Sequence, residues 1–213
     1  MLAEINFPED RFYKTGLPNE PTKFYFDALS NSNQFDLLVG KLGLNSLNPF
    51  AFGLATFIGN NGKMRIVFNS HFEQLELVNY LKSLDEVGKH FFKCVAWMIS
   101  NQRIQLQIIN PKSGIASYKA GIFSDGENSV SFDSSTDFNS RGWLENFEEV
   151  ETYLSWEEGR SMTMIDKRRK YFENLISEKN DFVEFANAIL RQFGNKSLND
   201  LLIQEKKLQK ISI

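Results

Sequence analysis

Hydroxyl, ammonium and carboxylate groups follow one another closely between residues 114 and 148 of this chain. Ser117 and Lys119 lie two positions apart in a predicted strand, so their side chains should point to the same face of a sheet. A polar loop carrying Ser135 and Asp137 comes after the next predicted strand and can reach over that face, and Glu148 begins a further one. A serine can act as a nucleophile only beside a base, because the pKa of its hydroxyl lies far above neutrality.

Each of these residues also has an ordinary structural interpretation. Lys119 could be a surface lysine whose stem packs on apolar residues while its ammonium stays in water. Ser135 and Asp137 could be turn formers. Glu148 alternates with apolar neighbours and could be an exposed strand residue. These alternatives are left open by the residue types alone.

Alternating apolar strands and amphipathic helices should position these groups. We predict an α/β fold with a mixed, mainly parallel sheet flanked by helices, followed by a helical C-terminal tail. Asn48 should cap a helix that begins with Pro49, between two parallel strands. Asp125-Gly126 predicts a tight turn. The strands of the one sheet should lie at 35–40, 63–69, 103–110, 117–124, 129–133 and 147–154.

Three stretches of this region form an ordered pattern: GIASYKAGIF at 114–123, SSTDFN at 134–139 and GWLENFE at 142–148. In order and spacing they resemble the phospholipase D-like superfamily. More narrowly, they are similar to the phospholipase D-type nuclease domains of restriction endonucleases and of restriction and defence helicases. The resemblance covers residues 22–175. It implies an N-terminal arm at 1–21, a nuclease-like domain at 22–176 and a helical C-terminal extension at 177–213.

The resemblance implies a chemistry that needs no metal and no cofactor. In that family a histidine attacks phosphorus, and lysine and asparagine neutralise the phosphate oxygens. Lys119, Ser135 and Glu148 match the family pattern, whereas Ser117 stands in place of the histidine and Asp137 in place of the asparagine. Ser134 also replaces the usual glycine. An acid at 137 adds like charge beside a phosphodiester, so we expect a weakly active or inactive site.

Two functions from different classes remain open on this basis. The first is a nuclease-family domain acting on DNA in a restriction or defence system. The second is a non-catalytic module that binds DNA and dimerises for a partner helicase or nuclease. The resemblance implies a homodimer in either case, because a chain with one motif carries half of a site.

Composition limits the other possibilities. The 213 residues carry a net charge of −3, so a DNA site requires a local basic patch. Such contacts could come from Lys119, Arg141 and the cluster of Lys167, Arg168, Arg169 and Lys170, although a solvated helix face is the simpler interpretation of that cluster.

Cysteine and histidine content excludes two further classes of site. One cysteine, Cys94, excludes an internal disulfide, and a content of two histidines argues against a histidine-rich metal centre. We expect Cys94 to be an inert buried thiol, and His71 and His90 to lie on surfaces or helix faces. The acidic N-terminal residues predict no secretory signal, and we expect a cytoplasmic location.

Overall fold

A seven-stranded sheet forms the centre of the described part of the chain. The structure is a computed structural model that describes residues 1–40, 47–68, 74–109, 119–134, 148–176 and 183–212. The strands of this sheet are β1 (Phe12–Lys14), β2 (Gln34–Val39), β3 (Lys63–Phe68), β4 (Ile104–Ile108), β5 (Lys119–Ser124), β6 (Ser129–Ser134) and β7 (Glu149–Leu154).

The strand order is β1-β7-β6-β5-β2-β3-β4. The β2–β3 and β3–β4 pairs are parallel, and the four other pairs are antiparallel. The prediction of a mixed α/β sheet flanked by helices is confirmed, but the sheet is not mainly parallel. For the β5–β6 pair the reason is local: the Asp125-Gly126 turn joins these strands directly, and strands joined by a short turn pair antiparallel.

Helices pack against both faces of this sheet. They are α1 (Pro21–Ser30), α2 (Leu54–Gly59), α3 (Gln74–Ser83), α4 (Glu86–Ser100), α5 (Arg160–Ile176), α6 (Val183–Phe193) and α7 (Leu198–Ser212). The large core lies on the face of α1, α2, α4, α6 and α7. A smaller cluster, which includes Leu38, Val67 and Phe172, lies beneath α5. None of the described helices is long and apolar enough to cross a membrane.

Phenylalanine rings fill much of the larger core. Phe35 of β2 and Phe123 of β5 are stacked with their ring centroids 4.1 Å apart, and Phe132 of β6 stacks on Phe123 at 5.5 Å. Gly121 makes this arrangement possible, because a Cβ atom there would lie 2.5 Å from the Phe132 ring and 2.8 Å from the Asp36 carbonyl oxygen. Many of the phenylalanine side chains in this sequence therefore pack in the core.

The start of α2 differs from the prediction. Residues Asn48–Phe52 form a 3-10 helix whose N-cap is Leu47, and α2 begins at Leu54. The Asn48 side chain donates instead to the Asp85 carboxylate, 3.0 Å from Oδ2. Gly53 separates the two helical segments where the chain lies against α1: a Cβ there would be 2.9 Å from the Leu29 Cβ.

Both ends of the described chain pack into the domain. The predicted N-terminal arm contributes β1, which pairs with β7, and it buries Leu2 and Tyr13. From the C-terminal helices, Phe185, Ile189 and Leu201 enter the large core. The predicted domain boundaries remain predictions, but these helices share a core with the sheet.

Candidate functional site

One edge of the sheet gathers the ends of six strands. The parallel strands β2, β3 and β4 end there together with β6, and β5 and β7 begin there, as the strand pairings require. In open α/β sheets, ligands bind outside the carboxyl ends of the strands, where the strand order changes direction. This edge is therefore where a site is expected, and we call it the site edge.

Lys119 is the first residue of β5 and lies at the site edge. It pairs with Val39, the last residue of β2, on one side and with Ser134, the last residue of β6, on the other. Its residue surface is only 2% exposed, so the interpretation of Lys119 as a surface lysine is wrong. A lysine is seldom buried to this extent unless a charged group compensates it.

Glu148, directly before β7, provides that compensation. Its residue surface is 4% exposed, which excludes the exposed-strand interpretation. Oε1 of Glu148 accepts hydrogen bonds from the Ser134 hydroxyl at 2.8 Å and from the Tyr25 hydroxyl at 3.0 Å. Burial raises the pKa of the Glu148 carboxyl, while the Lys119 ammonium and the two hydroxyl donors act in the opposite direction.

The Glu148 backbone is fixed as well. Its N–H donates to Thr15 Oγ1 at 3.1 Å, and its carbonyl oxygen accepts from the Thr15 N–H at 3.0 Å. The segment after β1 thus continues the pairing with β7 past the last strand residues. Together with the two side-chain hydrogen bonds, these contacts position the Glu148 carboxylate at the site edge.

Tyr25 is a site residue that the sequence did not indicate. It lies in α1, is fully buried, and packs against Phe50 and Phe132 at ring-centroid distances of 4.7 and 5.3 Å. Burial, and then the Glu148 charge, raise the pKa of Tyr25 well above its usual value, so the phenol stays protonated and donates. In the sequence, Tyr25 is one aromatic among several on an apolar helix face, and no local signal distinguishes it.

Several predicted site residues lie outside the described residues. These are Ser117, Ser135, Asp137 and Arg141. His71, which was expected on a surface or helix face, also lies outside the described residues. The structure brings Lys119 and Glu148 together and adds Ser134, the residue that replaces the family's glycine, as a donor to Glu148. The proximity of the other four to this site stays a prediction.

The basic cluster of α5 lies over the opposite face of the sheet. The Arg168 guanidinium donates to Ser131 Oγ at 2.8 Å, to the Phe132 carbonyl oxygen and to the Asp133 carboxylate, and its side chain is 12% exposed. Arg168 therefore connects α5 to β6. Lys167 is exposed and lines a small hollow beside α5.

His90 and Cys94 lie one turn apart on the buried face of α4. Both are fully buried, so a surface position for His90 is wrong, whereas its expected helix-face position is confirmed. His90 Nε2 lies 3.7 Å from the Cys94 sulfur and 3.8 Å from Glu205 Oε2. Burial raises the pKa of the Cys94 thiol well above its usual value, as expected for an inert thiol.

Comparisons with known proteins bear on the fold. No family model and no curated protein sequence matches this chain. Among solved structures, the chain is similar to the phospholipase D family member Nuc from Salmonella typhimurium, with 10% identity and a TM-score of 0.52, covering 80% of this chain and 95% of Nuc. It is also similar to phosphatidylserine synthase from Haemophilus influenzae, with 13% identity and a TM-score of 0.50, covering 94% of this chain and 44% of the synthase.

A third similar structure is polyphosphate kinase from Porphyromonas gingivalis, with 12% identity and a TM-score of 0.47 over 79% of this chain. The chain spans about a quarter (26%) of that kinase and less than half of the synthase. At such identities the similarity concerns the fold alone. The described part of the chain thus has an α/β fold similar to that of the phospholipase D family member Nuc.

Proposed function

We propose that this chain is a phospholipase D-like, nuclease-family domain of a restriction or defence system. It binds the phosphates of DNA at the site edge and cleaves phosphodiesters weakly or not at all. The observation that carries the proposal is the buried Lys119–Glu148 pair at the carboxyl ends of the strands, in the fold shared with Nuc.

Two buried groups of opposite charge that act on each other in this way are poorly explained by stability alone. Taking two charges out of water costs several kcal/mol per ion, and well-packed apolar residues often serve a core equally well. Buried charged groups gathered at the ligand-binding edge of a sheet are instead typical of functional sites. An ammonium at this edge is suited to a phosphate oxygen, which it can contact as a point charge.

The residues at 117 and 137 support low activity. Ser117 lies two positions before Lys119, where the resemblance places a nucleophilic histidine. A serine hydroxyl needs an adjacent base to act as a nucleophile. His90 is buried on the core-facing side of α4, where it packs beside Cys94. By comparison with nucleophile replacements in other enzymes, the loss of the histidine alone costs several orders of magnitude in rate.

A homodimer completes this proposal. A chain with one copy of the motif supplies half of the groups of a two-histidine site, and a closed two-fold dimer is the commonest symmetric assembly. A partner helicase or other restriction subunit would then deliver the DNA.

The experiment compares four versions of the chain in EDTA on labelled single- and double-stranded DNA. These are the unmodified chain, Ser117→His, Ser117→His with Asp137→Asn, and that double variant with Lys119→Gln added as the matched control. We expect little cleavage by the unmodified chain, more by the double variant than by Ser117→His, and loss of the gain with Lys119→Gln.

DNA binding is measured in parallel against salt, and it should weaken steeply as salt rises. Robust EDTA-resistant cleavage by the unmodified chain would contradict the low-activity part of the proposal. A double variant that folds, binds DNA and stays inert would favour a non-catalytic binding module. Absence of DNA binding by all folded versions would refute the proposal.

A further inference from the structure

The Glu148 carboxylate lies near enough to Lys119 to compete with an incoming phosphate for its charge, because Lys119 pairs with Ser134 across β5 and β6 and the Ser134 hydroxyl donates to Glu148. Both groups are almost fully buried at the site edge, and the charge of each is balanced by the other. An anion that approaches Lys119 is attracted by the ammonium and repelled by the carboxylate. The affinity of the site for a phosphodiester therefore depends on the charge of Glu148.

Movement of the carboxylate away from Lys119 would break its hydrogen bonds. Tyr25 of α1 and Ser134 of β6 hold it from two sides, and Thr15 holds its backbone. Protonation relieves the repulsion without movement. Both hydroxyls donate to Oε1, so a proton on Oε2 leaves both of these hydrogen bonds in place.

We propose that binding of a phosphodiester anion at Lys119 is coupled to uptake of a proton by Glu148, with Tyr25 as the positioning residue that holds the carboxyl group for this exchange. This inference rests on the proposed function and adds a regulation to it: the site binds DNA more tightly as the pH falls. Burial already raises the pKa of the free site's Glu148, and a bound anion raises it further.

The groups that face Glu148 in the described structure are few. Lys119 faces it from β5, Tyr25 from α1 and the Ser134 hydroxyl from β6, while Thr15 contacts its backbone. Tyr25 does not titrate near neutrality, because burial and the Glu148 charge raise its pKa. Glu149, the next residue, bonds to Lys14 Nζ at 2.6 Å and is 40% exposed at its side chain, so it provides a matched control.

The test measures binding of a short fluorescein-labelled oligothymidylate between pH 5 and 8 at fixed ionic strength, the range in which protein switches commonly titrate. For the unmodified chain we expect affinity to fall with rising pH, by up to about tenfold per unit where one proton is exchanged. Calorimetry in two buffers of different ionisation enthalpy should show proton uptake on binding.

Three variants identify the group responsible. Glu148→Gln keeps an oxygen for both hydroxyls and removes the charge, so its affinity should be nearly independent of pH and higher than that of the unmodified chain at pH 8. Glu149→Gln removes the same charge one residue away and should keep the original pH dependence. Lys119→Gln measures the background from other basic residues and should show neither effect.

Tyr25→Phe provides an independent measurement if Glu148→Gln does not fold. Loss of a hydrogen bond to the carboxylate raises its pKa further, so the fall in affinity should move to higher pH. A merely structural role of Tyr25 would weaken binding without moving that midpoint.

The outcomes separate the two proposals. Suppose that the unmodified chain binds, but that Glu148→Gln and Glu149→Gln show the same pH dependence, or that calorimetry shows no proton uptake. Either result overturns the coupling and leaves the proposed function intact. If neither the unmodified chain nor folded Glu148→Gln binds the oligothymidylate at any pH, the proposed function and the coupling are both refuted.

Discussion

Replacement of Glu205 by alanine should destabilise the domain more than replacement of an exposed residue of α7 by alanine. Glu205 of α7 is 2% exposed. Its Oε2 accepts from the Ala55 N–H at 2.7 Å, and its Oε1 accepts from the Thr56 hydroxyl at 2.6 Å and the Thr56 N–H at 3.2 Å. These two N–H groups belong to the first turn of α2, where helices leave their donors without internal partners.

The chain has no closer way to cap α2. The N-cap residue is Gly53, which offers no side chain, and a Cβ there would collide with Leu29. Glu205 therefore replaces an N-cap side chain from 150 residues away.

The magnitude follows from those hydrogen bonds. Glu205→Ala leaves two backbone donors without their acceptor, at about 1–3 kcal/mol each when buried, and removes a charge that interacts favourably with the helix start. Since Thr56 is only partly buried, we expect a loss of about 3–5 kcal/mol in the free energy of unfolding. Glu205→Gln keeps an acceptor oxygen and should lose about 1–2 kcal/mol.

Urea unfolding followed by circular dichroism measures this loss. Lys206→Ala, an exposed neighbour on α7, is the control and should change stability by less than about 0.5 kcal/mol. If Glu205→Ala cost less than about 1 kcal/mol, the capping argument would be refuted, because that is the range of a single ordinary hydrogen bond.

Three further predictions follow from the described contacts. Gly121→Ala should lower the free energy of unfolding by at least about 1–3 kcal/mol in urea, because its Cβ would meet Phe132 and the Asp36 carbonyl oxygen; an unchanged midpoint would contradict this packing. Arg168→Ala should lower the melting temperature, because the hydrogen bonds from Arg168 to β6 are lost. Lys167→Ala should leave the melting temperature unchanged and should reduce the slope of log affinity for DNA against log salt concentration by about one unit. The reverse pattern would refute this division of roles. Because the pKa of Glu148 is raised in the folded state, its contribution to stability is fully present below the ordinary pKa of 4.5 and is lost as the pH rises through the folded-state pKa. When the free energy of unfolding is measured over a pH series, Glu148→Gln should abolish this decline and Glu149→Gln should not.

Local sequence was sufficient for most of the elements. Strands at 35–40, 63–69, 103–110, 117–124, 129–133 and 147–154 were predicted from apolar runs, and the structure has β2 to β7 within one or two residues of those bounds. The Asp125-Gly126 turn was predicted from its residue types. In the structure, Asp125 Oδ1 accepts from the N–H groups of residues 127 and 128, which is how an aspartate stabilises a turn. Lys119 and Glu148 were indicated as site residues by their spacing within a family pattern.

Local sequence did not indicate which residues would contact Lys119 and Glu148 in the folded chain. Tyr25 reaches Glu148 across 123 positions, and nothing in the FYF segment of α1 distinguishes the ring that carries a functional hydroxyl from the rings that only pack. The burial of Lys119 was equally undecided, because the same residue pattern fits a lysine that extends to water.

The sequence by itself thus determined most of the strands, that they form an α/β sheet, and where along the chain the charged residues lie. It did not indicate β1 or the 3-10 helix at Asn48–Phe52. Only the tertiary structure decided that β5 lies between β2 and β6, that Tyr25 and Ser134 share one oxygen of Glu148, and that Glu205 caps α2. Periodicity and turn chemistry act over a few neighbouring residues. The choice of partner between distant segments is made by burial of the whole core, which no short segment encodes.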